Sequence, residues 1–579
     1  MATTKNITGV NAIFRPTRRR FENLWTDFEP YAESILPRGW KKSFGHLTLR
    51  EAIIWTKDVP ITLRDGVVIR CDVFRPADRA GEALPTSNYN FIGVPKHELS
   101  GLEKFDGPDP AEWCPRGYAI VQPDARGTFN SEGDVYHYGT QEAQDGYDTV
   151  EWIAEQPWSN GNVALVGNSH LGTMQWFIAG EQPPHLKAIA PWEGVGDFYR
   201  QSICRGGIPN TGFWSALSES HQGENLREDI GAMAEKYPHM NAYWADKVPK
   251  IQNIKIPMYV LLSYSTGLHT EGSFRGWKYS NSVDKWLRIH PTQEWHDIYQ
   301  PESTDDLQRF FDRYLLGKQN GWEETPKVLV SLLRFNRPPI VHLPEDNYPP
   351  SRTSFQTLYL DASDGALSLK PVEREGAASF QSDRFEDDGA HFWYTFTQYT
   401  ELLGPSKAKL FMSCQDLNDM DVYVQIRKVS VDGRPLTSVN VPFKDLPHTV
   451  REEDIEDLCL YKHLGPSGRL RASKRATGQD PALSEEQKKS QLPTEIWFPY
   501  DQEAKVTPGD IVELDIAIWP TGIAFERGET LRIGIKGHDH HLHEIEHLGP
   551  KLKNLNKGQH FVHCGGRYPS QVLLPFVYY

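Results

Sequence analysis

Between Asn160 and Gly180 the chain reads NGNVALVGNSHLGTMQWFIAG, and few folds accommodate that order of residues. Asn162 to Val166 is a short apolar run of strand type, and Thr173 to Ala179 has the composition of a buried helix. Gly167-Asn168-Ser169-His170-Leu171-Gly172 must turn the chain sharply from one to the other. A serine on such a turn has its hydroxyl pushed out at the carboxyl edge of a sheet. The N–H groups that follow open a helix, where they can stabilise a developing oxyanion. Glycines on both sides suit a strained turn and a helix passing close to its strand. The spacing is G-x-S-x-x-G rather than G-x-S-x-G, so the same residues also describe a serine N-cap opening a core helix.

With 579 residues the chain has room for two or three domains with sizeable cores. Its 17 Trp, 24 Tyr and 26 Phe describe a folded, aromatic-rich protein. The formal net charge is −15 and the one basic run is Arg18-Arg19-Arg20, so nucleic acid is not expected as a partner. No stretch is long enough to span a bilayer, and the N-terminus lacks the apolar core of a secretory signal. Cys71, Cys114, Cys204, Cys414, Cys459 and Cys564 show no C-x-x-C spacing, which argues against structural zinc and for reduced thiols. A cytoplasmic protein is expected, without membrane contact, and an assembly of identical copies is left open.

In chain order, residues 1 to 50 are polar and aromatic without a clear period, an N-terminal extension expected to wrap the main domain. Val59 to Phe74 holds two alternating runs joined by Asp65-Gly66, which reads as a hairpin with a type I′ turn. Leu84–Phe91, Tyr118–Gln122, Pro257–Leu262 and Lys285–Ile289 read as strands, and Gln144–Gln156 and Asp305–Leu316 as helices. That alternation predicts a mostly parallel α/β sheet over 51–330. Its pattern stops between about 196 and 250, where segments such as Asn225–Lys236 look helical and would form a cap over the serine. From 331 to 579 short β-type runs separated by Gly, Pro and Asp predict a β-sandwich of jelly-roll type.

The chain resembles the family of cocaine esterase, X-prolyl dipeptidyl peptidases, α-amino-acid ester hydrolases and glutaryl acylases. The resemblance is carried by ITLRDGVVIRCDVFRP (61–76), GPDPAEWCPRGYAIVQPDARGTFNSEGD (107–134) and DGYDTVEWIAEQPWSNGNVALVGNSHLG (145–172). It is carried also by WPTGIAFERGETLRIGI (519–535) and HCGGRYPSQVLLPF (563–576). It implies an α/β-hydrolase domain, a helical cap, a C-terminal jelly roll, and hydrolysis of an ester or amide through an acyl-serine without a cofactor.

The chain departs from the family at three points. The residue after the serine is His170 instead of tyrosine, and its backbone N–H can still serve as one oxyanion donor. The tyrosine that supplies the second donor falls on Val94. No carboxylate stands at Ser265 or Thr266, where the family has its aspartate. The histidine region reads His290-Pro291-Thr292-Gln293-Glu294-Trp295-His296-Asp297, which puts either Glu294 or His296 in the base position. His296 is the expected general base, Glu294 the alternative, and His290 and His269 are rivals. In an extended loop Glu294 and His296 would point the same way.

The sequence thus favours a serine hydrolase acting on an ester, lactone or amide of a small organic acid through Ser169. The alternative is a hydrolase-fold enzyme that has lost hydrolysis and uses Glu294 or His296 for an isomerisation, cyclisation or elimination; a binding role for the jelly roll is a third. Gly537-His538-Asp539-His540-His541-Leu542-His543 has metal-like spacing, but its place in a β-sandwich connection reads as a polar loop, so no metal is expected.

Overall fold

The computed structural model describes residues 2–18, 31–77, 99–385, 389–446, 450–459, 461–540 and 555–578, with the backbone alone for 82–85. An α/β domain built on an eleven-stranded sheet is followed by a β-sandwich whose two sheets have seven and four strands. The strands at the heart of the large sheet are parallel, and Val163–Asn168, Leu186–Trp192, Met258–Ser263 and Lys285–His290 are successive neighbours. Three of them read as almost unbroken apolar runs because helices cover both faces. Their carboxyl ends therefore lie side by side along one edge, about 4.8 Å apart from strand to strand.

The hairpin forms, with strands Ile53–Thr62 and Val68–Pro76 antiparallel, but its turn differs from the expected type I′. Only Gly66 takes a left-handed backbone (φ 83°), and Gly66 N–H donates to the Leu63 carbonyl. The connection is a type I turn closed by a left-handed glycine, because Asp65 keeps a negative φ where type I′ needs two positive ones. The N-terminal residues do more than wrap the surface. Thr3–Ile7 and Val10–Pro16 form a small sheet with Leu226–Glu228, and Ala32–Leu36 pairs at the edge of the large one. The first half of the segment expected to be helical, Asn225–Lys236, is thus a strand, and Ile230–Lys236 is the helix. Alternation in Leu226-Arg227-Glu228 is claimed by a partner strand that sequence periodicity does not show. Val328–Leu332 and Ile340–Glu345 extend the large sheet, so the boundary placed at 330 falls inside one of its strands.

Gly172 ties the serine turn to the neighbouring strand. A Cβ there would come within 2.4 Å of the Glu193 carbonyl oxygen, and a Cβ on Gly194 within 2.7 Å of Gly172 backbone. The G-x-S-x-x-G spacing thus lets the helix touch the chain leaving the next strand. Gly172→Ala is expected to cost about 1–3 kcal/mol of stability by overpacking. A thermal melt checks it, and an unchanged midpoint would mean that this contact yields freely.

Candidate active site

Ser169 opens the helix Ser169–Gly180 directly after the strand Val163–Asn168. Its φ is 55°, a left-handed conformation a serine adopts only under constraint. Its N–H donates to the Glu193 carbonyl at 2.8 Å, fixing the turn against the next strand. Glu193 (φ 64°) and Asp106 (φ 68°) are held the same way, and Asp106 carbonyl accepts the Asn168 N–H at 3.0 Å. Each such residue costs on the order of 1–3 kcal/mol, and their clustering at one sheet edge is what functional sites show. The Ser169 hydroxyl makes no hydrogen bond among the described residues.

Glu193, fully buried, leaves the strand Leu186–Trp192 and lies on the same edge as the serine. His290 ends Lys285–His290, one strand beyond Ser263. Because Ser263 is small, the two longer side chains meet across it: His290 Nε2 and Glu193 Oε1 are 2.6 Å apart, and the Ser263 hydroxyl donates to Glu193 Oε2 at 3.0 Å. Thr292 Oγ1 lies 3.2 Å from His290 Nδ1. Glu193 thus supplies the carboxylate missing at Ser265 and Thr266. Those two hydroxyls are engaged locally, Ser265 with the Thr292 carbonyl at 2.8 Å and Thr266 with Ser263 at 2.7 Å.

His269 and Glu294 complete the centre. His269 Nδ1 stands 3.0 Å from Glu294 Oε2 and 4.0 Å from Glu193 Oε2. The 3.0 Å approach is not aligned as a hydrogen bond, and both atoms are buried without another partner among the described residues. Burial, then the charge of Glu193, raises the Glu294 carboxyl well above the ordinary range, against a lowering contact with the Ser169 backbone amide. Burial lowers the His269 imidazole, with Glu193 and Asp106 pulling the other way. Asp106 is raised as well, by burial and then by Glu294. Burial thus works against charge on both Glu294 and His269. Glu193, His269 and Glu294 also bring three ligand atoms within 4.8 Å of one another, the one group among the described residues able to hold a cation. Glu193 is already engaged by Ser263 and His290.

The expected residues separate in space. Ser169 and Glu294 come together. His296 is turned away: its Nε2 lies 3.0 Å from Asp445 of the β-sandwich and 3.3 Å from Gln300. The expectation that Glu294 and His296 face the same way fails because Glu294–Asp297 is one helical turn. Two residues on a helix are about 200° apart. Asp297, on the same turn, is lowered to about 2: burial raises it, and Arg288 at 2.6 Å with His290 more than offsets that. His170 occupies the second helical position, so its N–H has no carbonyl four residues back to bind. Its ring is drawn aside, stacked on Tyr138 and 2.8 Å from Glu142 Oε1. Val94 lies outside the described residues, as do His541 and His543 of the histidine-rich segment. A mainly apolar cavity of about 120 Å³ beside the elbow is lined by His170, Leu171 and Met174 but not by Ser169, Glu193, His269 or Glu294.

A model of the X-Pro dipeptidyl-peptidase S15 family matches residues 65–294, and a model of the X-Pro dipeptidyl-peptidase C-terminal non-catalytic domain matches 320–573. The chain belongs to this family. Cocaine esterase of Rhodococcus sp. (strain MB1 Bresler) is 37% identical over 148 residues, 25% of this chain and 24% of that relative. The chain thus matches about a quarter of that relative's length. A solved CocE/NonD family hydrolase from Staphylococcus aureus superposes with a TM-score of 0.79 at 29% identity, covering 91% of this chain and 94% of its own. An α-amino acid ester hydrolase superposes at 0.63 with 15% identity over 91% of this chain and 97% of its own, a likeness of fold. No disulfide joins the six cysteines among the described residues, and no helix among them is long and apolar enough to cross a membrane.

Proposed function

We propose that the chain is a serine hydrolase that cleaves an ester, lactone or amide of a small organic acid through an acyl-Ser169 intermediate. The observation that carries the proposal is the strained Ser169 elbow, whose backbone amide meets the Glu294 carboxyl, with His269 Nδ1 3.0 Å from that carboxyl. As the Ser169 oxygen bonds to the substrate carbonyl carbon, its proton passes to Glu294. Glu294, once turned so that its O–H lines up with His269 Nδ1 3.0 Å away, passes its own proton to that nitrogen. The carbonyl oxygen becomes an anion facing the His170 N–H. The imidazolium so formed is stabilised by Glu193 at 4.0 Å. Collapse expels the leaving group, which takes its proton back along the same path, and water repeats the cycle on the acyl-serine. The expected roles are therefore Ser169 as nucleophile, Glu294 as proton relay, His269 as base, and Glu193 with His290 as the fixed charge behind them.

Stopped-flow hydrolysis of p-nitrophenyl esters tests the reading. An initial burst of p-nitrophenol, one per enzyme, is expected. Absence of both burst and turnover across acyl chain lengths would overturn it. The relay also sets a pH limb. His269 must be neutral, and burial lowers its pKa, so activity is expected to persist below about 6.5, the ordinary histidine value, and fall only in more acidic solution. A limb above 6.5 in the kcat profile would exclude a buried imidazole as the base.

One observation favours a second reading. A buried Glu294 whose carboxyl is raised, near an unbonded serine hydroxyl, also suits proton transfer to and from a bound substrate, as in an isomerisation or elimination. That reading expects activity on the true substrate to survive Ser169→Ala.

A further inference from the structure

A second cavity lies where the α/β domain, the cap and the β-sandwich meet, and Ser169, Glu193, His269 and Glu294 do not line it. Its walls carry four guanidinium groups. Three are neutralised directly: Arg200 by Asp197 at 2.7 Å, Arg275 by Asp480 at 2.6 Å, and Arg469 by Asp539 at 3.0 Å. The fourth, Arg205, is not. It is 7% exposed, sits over the Trp519 ring with Cζ 3.5 Å from the ring centroid, and donates to the Ser467 carbonyl. It has no carboxylate partner among the described residues, although a guanidinium has five N–H donors to place. Across the cavity Glu271 has the complementary problem, with no ion pair or hydrogen bond among the described residues. Burial pushes the Glu271 carboxyl up to about 7, with Arg275 pulling it down and Glu495 pushing it up more strongly than Arg205 acts on it. Arg205 in turn feels Arg469 and Asp539 before Glu271. A buried cation and a carboxylate left apart in one cavity are costly unless something joins them.

We propose that this cavity binds a small zwitterion of the α-amino-acid type, its carboxylate on Arg205 and its ammonium on Glu271. The space, about 80 Å³, is of the order of a small amino acid. The Trp519 ring fixes the guanidinium plane, which favours a planar carboxylate taken by two parallel N–H donors. Glu271 sits two residues from His269, and Gly272 packs on Gly194 and Gly196, where a Cβ would meet Gly194 oxygen at 2.3 Å. An occupant therefore touches the helix that carries the catalytic histidine, at a place where no acyl transfer occurs.

Isothermal titration of the full chain with each of the twenty free L-amino acids tests this. At least one is expected to bind, with its amide and its N-acetyl derivative at least tenfold weaker, because each lacks one of the two charges. Glu271→Gln, nearly isosteric, is expected to weaken binding at least tenfold while a thermal melt shows the fold intact. Arg205→Lys should weaken it too, by losing the paired donors. Failure of all twenty to bind at millimolar concentration overturns the proposal. So does equal binding of the amide and N-acetyl forms, or binding unchanged in folded Glu271→Gln.

Discussion

Ser169→Ala is expected to lower turnover on an ester substrate by about 10⁴ to 10⁶, with the fold intact. Loss of the nucleophile alone removes nearly everything a serine hydrolase's catalytic groups achieve together, leaving the contribution of binding and the oxyanion site. Alanine keeps the short side chain of the elbow, so the left-handed backbone at φ 55° and the Ser169 N–H bond to Glu193 should persist. Steady-state kinetics with a thermal melt on the same sample separates lost chemistry from lost fold. Turnover within tenfold of the parent would mean that Ser169 only shapes the pocket, and would favour proton-transfer chemistry instead.

The second large effect separates two residues that are neighbours in sequence. Glu294→Gln is expected to cost about 10³ to 10⁴ in kcat, comparable to removing the acid of a serine-protease triad. Glutamine fills the same space but cannot take a proton on one atom and release one from another. His296→Ala is expected to change kcat by less than about tenfold, because its imidazole binds Asp445 and Gln300 rather than the elbow. Its cost should appear in stability, through the lost contact between the two domains. If His296→Ala were the inactivating change and Glu294→Gln the mild one, the proton path through Glu294 and His269 would be wrong.

The contrast between these residues shows what the sequence could and could not carry. The alternation of apolar runs with helical spacing is a local signal, and it places the strands at 118–124, 163–168, 258–263 and 285–290 within two residues of their observed ends. It leaves Leu186–Trp192 unmarked, and all but 84–85 of the expected strand Leu84–Phe91 lies outside the described residues. Ser169 was legible for the same reason, since strand, turn and helix are contiguous in sequence. Glu193 was not. It follows an apolar strand with Trp192 before it and Gly194 after it, and nothing local says that Ser263 will be small enough to let it reach His290. Only the strand order, 163–168, 186–192, 258–263, 285–290, brings those groups together. His296 misled for a related reason. Four residues, Glu294 to Asp297, coil into one turn instead of running extended, and the partner that holds His296 comes from a segment about 150 positions away. The charge expected from an aspartate after the third of these strands is supplied from the strand beside the serine. The strand, turn and helix around Ser169 were legible, while the groups that surround it are set by tertiary convergence.

Labelling with a fluorophosphonate followed by peptide mapping measures the central claim directly, because the probe reacts only with a serine activated by a proton acceptor and faced by an oxyanion site. The account predicts one adduct per chain, on the peptide containing Ser169, and a strongly slowed reaction in Glu294→Gln. An unlabelled, folded protein, or an adduct on any other residue, would contradict it.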